Sequence, residues 1–306
     1  MRVGVVDLGT NSTRLLVADV DDGRVDELSR RTQITRLGEG VDERRKLLPL
    51  PIARVRNVLA DYRRELEELG AERVLAIGTS AIRDAENGEA FLGEIEWSYG
   101  FATRLLSGDD EGRLTRRGVA NGRVLGDETL VLDVGGGSTE LITAWQRTSL
   151  DLGSVRLTER HLRSDPPTDE ELDAAAEAVR AELPPLEPDG AIGVAGTITT
   201  LAALELGGYD PTRVHGYRLL RTAVATQLGR LASLPLARRR ELPGLEPERA
   251  PVIVAGAVIV YVVLGHYSLS ELEVSERDIL HGAALEAAAL PEPEEGDAPP
   301  GAYTCC

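Results

Sequence analysis

Two α/β domains of one type, joined in tandem, are what this sequence predicts. Three observations carry that prediction. Residues 5–18, VVDLGTNSTRLLVA, and residues 131–144, VLDVGGGSTELITA, align without a gap and agree at seven of fourteen positions. The two copies start 126 residues apart (131 − 5), well beyond the roughly 20–50-residue period of solenoids and propellers, so the repeated unit is a domain. In each half, β-rich runs come first, and helix-spaced and β-rich runs then alternate. A chain of 306 residues has the length for two such domains.

In the first half, 2–8 and 13–20 are β-rich runs around a polar loop. Asp21, Asp22 and Gly23 give a turn signal, and 24–36 supplies a third strand. Residues 51–69 have apolar side chains at helical spacing, among them Val55, Leu59, Tyr62 and Leu66, closed by Gly70. Residues 73–87 read as a short strand, an N-cap at Thr79 or Ser80, and a helix; 101–114 reads as another strand entering another helix.

The second half repeats the order, with strands at 129–134, 140–145 and 148–153. Thr168 and Glu171 form the sequence pattern of a capping box, opening a helix within 164–183. Residues 191–204 read as strand, glycine turn and helix. The expected domains are 1–118 and 119–290, with a cleft between them faced by both copies of the opening loop. Residues 291–306, rich in Pro, Gly and acid, read as a disordered tail.

Composition narrows the function. The net charge of −17 argues against nucleic acid or an anionic membrane as a partner, since both need a basic footprint. A small polyanion held by a locally basic or amide-lined pocket remains compatible with it. The amino terminus reaches Asp7 too early for a signal peptide. The longest apolar run, 252–265, is shorter than the roughly 20 residues of a spanning helix and reads as a buried core helix. Cys305 and Cys306 are the only cysteines, which fits a reducing cytoplasm. The four histidines show no metal-ligand spacing. Arg238–Arg240 reads as a solvated helix end, or as a docking patch for a long polyanion.

The repeated loops carry the chemistry. Each follows a strand that ends at an aspartate, Asp7 or Asp133, and each leads into a hydroxyl pair, Ser12–Thr13 or Ser138–Thr139. Glycine lets a backbone approach an anion closely and turn successive N–H groups towards it. An aspartate at the strand end can hold a metal ion or its water beside a phosphate. A hairpin turn also uses Asp and Gly, but nothing in turn chemistry calls for two matched copies. The flank differs: Arg14 in the first copy becomes Glu140 in the second.

Six motifs in order, DLGTNSTRLLVADV, GTSAIRDAEN, SGDDEGRL, LDVGGGSTELI, GVAGTITTLAAL and VSERDILHGAAL, together resemble the exopolyphosphatase/guanosine pentaphosphate phosphohydrolase (Ppx/GppA) family. That family belongs to the actin-like ATPase and sugar-kinase superfamily. The stretch 153–172 looks particularly like its short actinobacterial members. The resemblance implies duplicated actin-like, ribonuclease H-like α/β domains. It also implies Mg²⁺-dependent release of terminal orthophosphate from inorganic polyphosphate by a cytoplasmic hydrolase, with a homodimer among the expected states. The alternatives are hydrolysis of guanosine pentaphosphate by the same site, a kinase of the same superfamily, and a catalytically silent regulator that binds polyphosphate or the alarmone.

Residue by residue, the resemblance makes Gly9, Thr10, Asn11 and Ser12 the first phosphate loop, and Gly135, Gly136, Gly137 and Ser138 the second. Arg83 binds phosphate and Glu111 is the general base for water. Asp133 and Glu140 hold Mg²⁺, or another divalent cation, or orient that water, and Asp7 is a further metal candidate. The turn at 194–197 is the superfamily's place for a nucleoside, or here only the closure of a βα unit. The family motif often has two glutamates before an Ala-Arg pair; here the stretch is Asp110-Glu111-Gly112-Arg113, which keeps the glutamate matching the base, while Gly112 loosens a helix start. Longer members carry extra helical domains thought to grip polymer, so processivity on long chains is not expected here.

Overall fold

The structure, a computed structural model, describes residues 1–291. The expected tail therefore lies outside the described residues apart from Pro291. Two compact units form among the described residues: Met1–Gly122 together with the described chain from Ile279, and Arg123–Asp278.

The first unit contains β1 (Arg2–Leu8), β2 (Ser12–Asp21), β3 (Arg24–Ile34), α1 (Val41–Arg44), α2 (Pro49–Glu68), β4 (Arg73–Gly78), α3 (Ser80–Arg83), α4 (Gly88–Tyr99), β5 (Ala102–Leu105) and α5 (Gly108–Ala120). Its sheet has the order β3-β2-β1-β4-β5. The first three strands pair antiparallel, whereas β4 and β5 are added parallel. The β2–β3 turn places Asp22 and Gly23 at φ 43° and 76°, the left-handed geometry that matches the twist of a tight hairpin. Alternation along β1 and β2 sends Val6, Leu8, Leu15 and Val17 to one face and Val3, Val5, Leu16 and Ala18 to the other. On the first face α2 packs directly on β1, where a Cβ at Gly4 would lie 2.1 Å from Leu66.

The helix expected through residue 87 ends after one turn at Arg83. The chain folds back there: a Cβ at Gly88 would lie 1.9 Å from the Ile82 carbonyl oxygen. Asn87 anchors the reversal by accepting from Leu47 N at 2.8 Å and donating to Leu47 O at 3.0 Å.

The second unit contains β6 (Thr129–Val134), β7 (Thr139–Ile142), β8 (Arg147–Leu150), α6 (Ser154–His161), α7 (Asp169–Glu182), β9 (Gly190–Val194), α8 (Ala195–Leu206), α9 (Pro211–Val214), β10 (Arg218–Leu220), α10 (Arg221–Ser233), α11 (Leu236–Arg239), α12 (Ile253–His266) and β11 (Glu271–Val274). Its sheet runs β10-β11-β9-β6-β7-β8. Read from β8 inward, this is the order of the first sheet with β10 added at one edge. The two units therefore have the duplicated α/β architecture that the repeat implied.

Thr168 and Glu171 form the expected capping box at the start of α7. The third strand, expected over 148–153, is only Arg147–Leu150, because the chain turns into α6. In α12, eleven of fourteen residues are buried, which makes it the core helix expected from 252–265. No helix among the described residues is long and apolar enough to cross a membrane.

The expected boundary at 290 does not hold. Helix α13 (Ile279–Ala287) belongs to the first unit, where Ile279, Leu280, Ala283 and Ala284 join α5 over the face of Val3, Val5, Leu16 and Ile77. A parallel-centred sheet must be covered on both sides, and α5 shares that task with α13. The helices approach closely: a Cβ at Gly282 would lie 2.0 Å from the Leu114 carbonyl oxygen.

Candidate functional site

The two repeated loops close in the same way. Gly9 N donates to Ser12 O at 3.0 Å, and Gly135 N donates to Ser138 O at 3.0 Å. Neither glycine leaves room for a side chain: an added Cβ would lie 2.9 Å from Ser12 O and 3.1 Å from Ser138 O respectively.

The segment after the third strand then fastens each loop from behind. In the first unit Gly38 N donates to Thr10 O (2.8 Å), and Thr35 N and Arg36 N donate to Asn11 O (3.1 and 2.9 Å). In the second, Ser154 N donates to Gly135 O (2.9 Å), and Val155 N and Arg156 N donate to Gly136 O (2.8 and 3.2 Å). The last three are first-turn amides of α6, which would otherwise lack acceptors. With the carbonyls engaged, no backbone carbonyl among the described residues takes up the N–H groups of Thr10, Asn11, Gly136 or Gly137. Such amides in a tight loop make an anion cradle.

Sequence reasoning missed this fastening. Its signal was a second repeat, Leu37-Gly38 and Leu152-Gly153, in which each leucine is buried. Each glycine permits contact with the loop. A Cβ at Gly38 would lie 2.3 Å from Thr10 Cγ2, and one at Gly153 would lie 2.3 Å from the Gly136 carbonyl. The hydroxyls of Thr13 and Thr35 meet at 2.9 Å, and Tyr62 Oη donates to Thr13 O at 2.9 Å. Burial, more than any neighbouring charge, pushes the Tyr62 phenol well above its ordinary pKa, so it stays a donor.

The acids at the strand ends differ between units. Asp7 pairs with Arg14 across β1 and β2. Arg14 reaches Asp7 Oδ2 from Nε at 2.8 Å and from Nη2 at 2.6 Å. At the same ladder position Asp133 pairs with Glu140, both buried, and Ser149 Oγ donates to Glu140 Oε1 at 2.8 Å. Two carboxylates and a hydroxyl are the hard oxygen donors a magnesium ion accepts, and Mg²⁺ is usually held by one or two carboxylates plus substrate phosphate. No cluster of three or more His, Cys, Asp or Glu suited to a metal occurs among the described residues. Asp7, with its Oδ2 held by Arg14, fits the metal role less well.

Arg83 and Glu111 meet. Arg83 Nη1 donates to Leu106 O at 2.8 Å and also to Glu111 Oε1 in an ion pair. Glu111 lies in the first turn of α5, yet it is 6 % exposed, unlike an acid placed there only for the helix dipole. The solvated cap is Asp110, which forms a capping box with Ser107. The Ser107 hydroxyl, then Arg113, hold the Asp110 carboxyl below its ordinary pKa.

The other singled-out residues have the following surroundings. The turn at 194–197 closes β9 into α8, with Arg249 lying over Gly196. Arg239 is buried, not solvated, and its Nη2 meets Asp165 Oδ1 at 2.7 Å. His215 Nδ1 accepts from Glu276 N at 3.2 Å.

The chain has relatives among known proteins. Residues 16–289 match the model of the Ppx/GppA phosphatase family. The chain is 38% identical over 314 aligned residues to Exopolyphosphatase 2 of Mycobacterium tuberculosis, covering 94% of this chain and 98% of that protein. It superposes on the crystal structure of the Aquifex aeolicus Ppx/GppA family member with a TM-score of 0.79 at 34% identity, covering 94% of this chain and 98% of that one. A crystal structure of an exopolyphosphatase-like protein gives a TM-score of 0.86 at 31% identity, with the same coverage. With most of its length matched by the family model and by full-length relatives, the chain belongs to the Ppx/GppA phosphatase family.

Proposed function

We propose that this protein is an exopolyphosphatase, which hydrolyses the terminal phosphoanhydride bond of inorganic polyphosphate with the help of a divalent cation, in the cytoplasm. The observation that carries the reading is a buried glutamate, Glu111, held against a guanidinium, Arg83, in the unit that also presents an amide-rich loop.

Phosphoanhydride hydrolysis needs positioning and charge neutralisation more than covalent chemistry. In this reading the N–H groups of Thr10, Asn11, Gly136 and Gly137, with the Arg83 guanidinium, take phosphate oxygens. Glu111 accepts a proton from water as its oxygen bonds to the terminal phosphorus. The bridging P–O bond breaks, giving orthophosphate and a chain one unit shorter. Asp133 and Glu140 would hold Mg²⁺, which supplies positive charge to the phosphate oxygens when bound. Burial shields Glu111 from bulk water, and the Arg83 guanidinium sets a positive charge beside it.

Phosphate release from short polyphosphate, long polyphosphate, guanosine pentaphosphate and ATP, each with and without Mg²⁺, tests the reading. Fastest release from polyphosphate supports it. Preference for guanosine pentaphosphate would give the same site its other substrate, and no release from any of the four would leave a binding protein.

A further inference from the structure

Helix α5 bears Glu111, yet it is poorly suited to hold a side chain still. Gly108, Gly112 and Gly118 lie within it, and glycine is the weakest ordinary helix former after proline. Its first turn is held by side-chain ion pairs instead, one from β5 and one from the helix's own second turn. The Asp110 Oδ1 atom accepts from Arg104 Nη2 at 3.0 Å and from Arg113 Nη2 at 3.3 Å. The same two arginines converge on one acid of α13: Arg104 Nη1 meets Glu286 Oε2 at 2.6 Å, and Arg113 Nη2 meets Glu286 Oε1 at 2.7 Å. Glu286 is the most buried of the four, with 17% of its side chain exposed. Its hydrogen bond is the leading cause of the raised Arg113 pKa.

We propose that Glu286 is a positioning residue for Glu111: both its oxygens fix Arg104 and Arg113, and through Asp110 they fix the turn from which Glu111 reaches Arg83. This rests on Glu111 being the base. Deletion of the bracing would leave the helix in place but let its first turn shift. Misplacement of a reacting group by about 1 Å is enough to cost about 10²-fold in rate. Substrate contacts made by the glycine loops would be untouched, so the loss would fall on kcat.

The test measures kcat and KM on short polyphosphate, with melting temperature, for Glu286→Gln, Glu111→Gln and the double variant. Glu94→Gln, which removes an equally short ion pair with Arg56 on the same unit (2.7 Å), is the control. Glu286→Gln should lower kcat about 10–100-fold with KM within about twofold of wild type, the pattern of a misplaced group rather than lost binding. It should melt close to Glu94→Gln. Added to Glu111→Gln, it should lower kcat no further, since it acts through that residue. A kcat like that of Glu94→Gln, or an equal fall in the Glu111→Gln background, would overturn the proposal. Wild-type turnover by Glu111→Gln would instead remove the base assignment, and the positioning role with it. If Glu286→Gln does not fold, Glu286→Asp, which keeps the charge but shortens the reach, decides: lowered kcat at unchanged KM supports positioning, and unchanged kcat rejects it.

Discussion

Glu140 faces Asp133 across the β6–β7 ladder, where the first unit sets Arg14 opposite Asp7. One position thus carries an ion pair in one unit and two acids in the other. Like charges directly opposite each other on antiparallel strands repel by roughly 0.2–1 kcal/mol, which a divalent cation would relieve. Glu140→Gln should therefore stabilise the cation-free protein slightly and abolish its thermal stabilisation by Mg²⁺. Differential scanning fluorimetry across a Mg²⁺ titration checks both halves, and an undiminished Mg²⁺ shift would remove Glu140 from the metal.

Glu111→Gln should lower kcat by about 10²–10⁴-fold, the usual contribution of a general base. KM should hold or fall, because a negative charge beside a polyanion has gone. Steady-state kinetics read this directly; a kcat near wild type would make Glu140 the next candidate.

The sequence alone assigns Arg83 to binding, whereas the ion pair gives it a share in folding too. Arg83→Ala leaves the buried Glu111 without its guanidinium and should cost about 1–3 kcal/mol as well as raise KM. Arg83→Lys keeps the charge and should recover stability more fully than KM, since an ammonium lacks the planar fork. Urea unfolding beside kinetics separates the two.

Gly153→Ala drives a methyl group into the Gly136 backbone at 2.3 Å. Overpacking of this kind costs about 1–3 kcal/mol, and its strain would fall on the second phosphate loop, so KM should rise. Gly229→Ala, on an exposed stretch of α10 with nothing within 4 Å of the new Cβ, should gain up to about 1 kcal/mol. Equal effects from the two would refute the fastening role of Gly153.

Asp110 carries a pH signature. Its folded carboxyl is held below the ordinary value, so its stabilisation is complete at neutral pH and disappears as the pH falls through that lowered value. Asp110→Asn should cost roughly 0.3–1 kcal/mol at pH 7, as for an acid near a helix N-terminus. The difference from wild type should close in acid below about pH 4. A gap independent of pH would mean that shape, not charge, matters at Asp110.

The fold was largely legible because its repeat was. Matching loops, alternating strands and the Thr168–Glu171 cap are local patterns, and local patterns survive in a linear sequence. The unread parts depend on distant neighbours. The stop at Arg83 follows from Gly88 folding against Ile82, and the return of α13 follows from a sheet face that needed cover. Helix α6 is short, and glycine-loop carbonyls cap it instead of a side chain at Gly153. At the site, residue types were readable but pairings were not: nothing in the spacing of Arg83, Glu111 and Glu286 announces that α5 links them.

The return of α13 has a consequence for synthesis. The second unit is contiguous and can finish folding as soon as Asp278 has cleared the ribosome, while the first, begun earlier, waits for its last helix. At about 5–20 residues per second, the apolar face of Val3, Val5 and Leu16 stays half-covered for on the order of ten to thirty seconds after α5 emerges. The nascent chain is thus most exposed to chaperones, and to its own neighbours on a polysome, at the end that was made first.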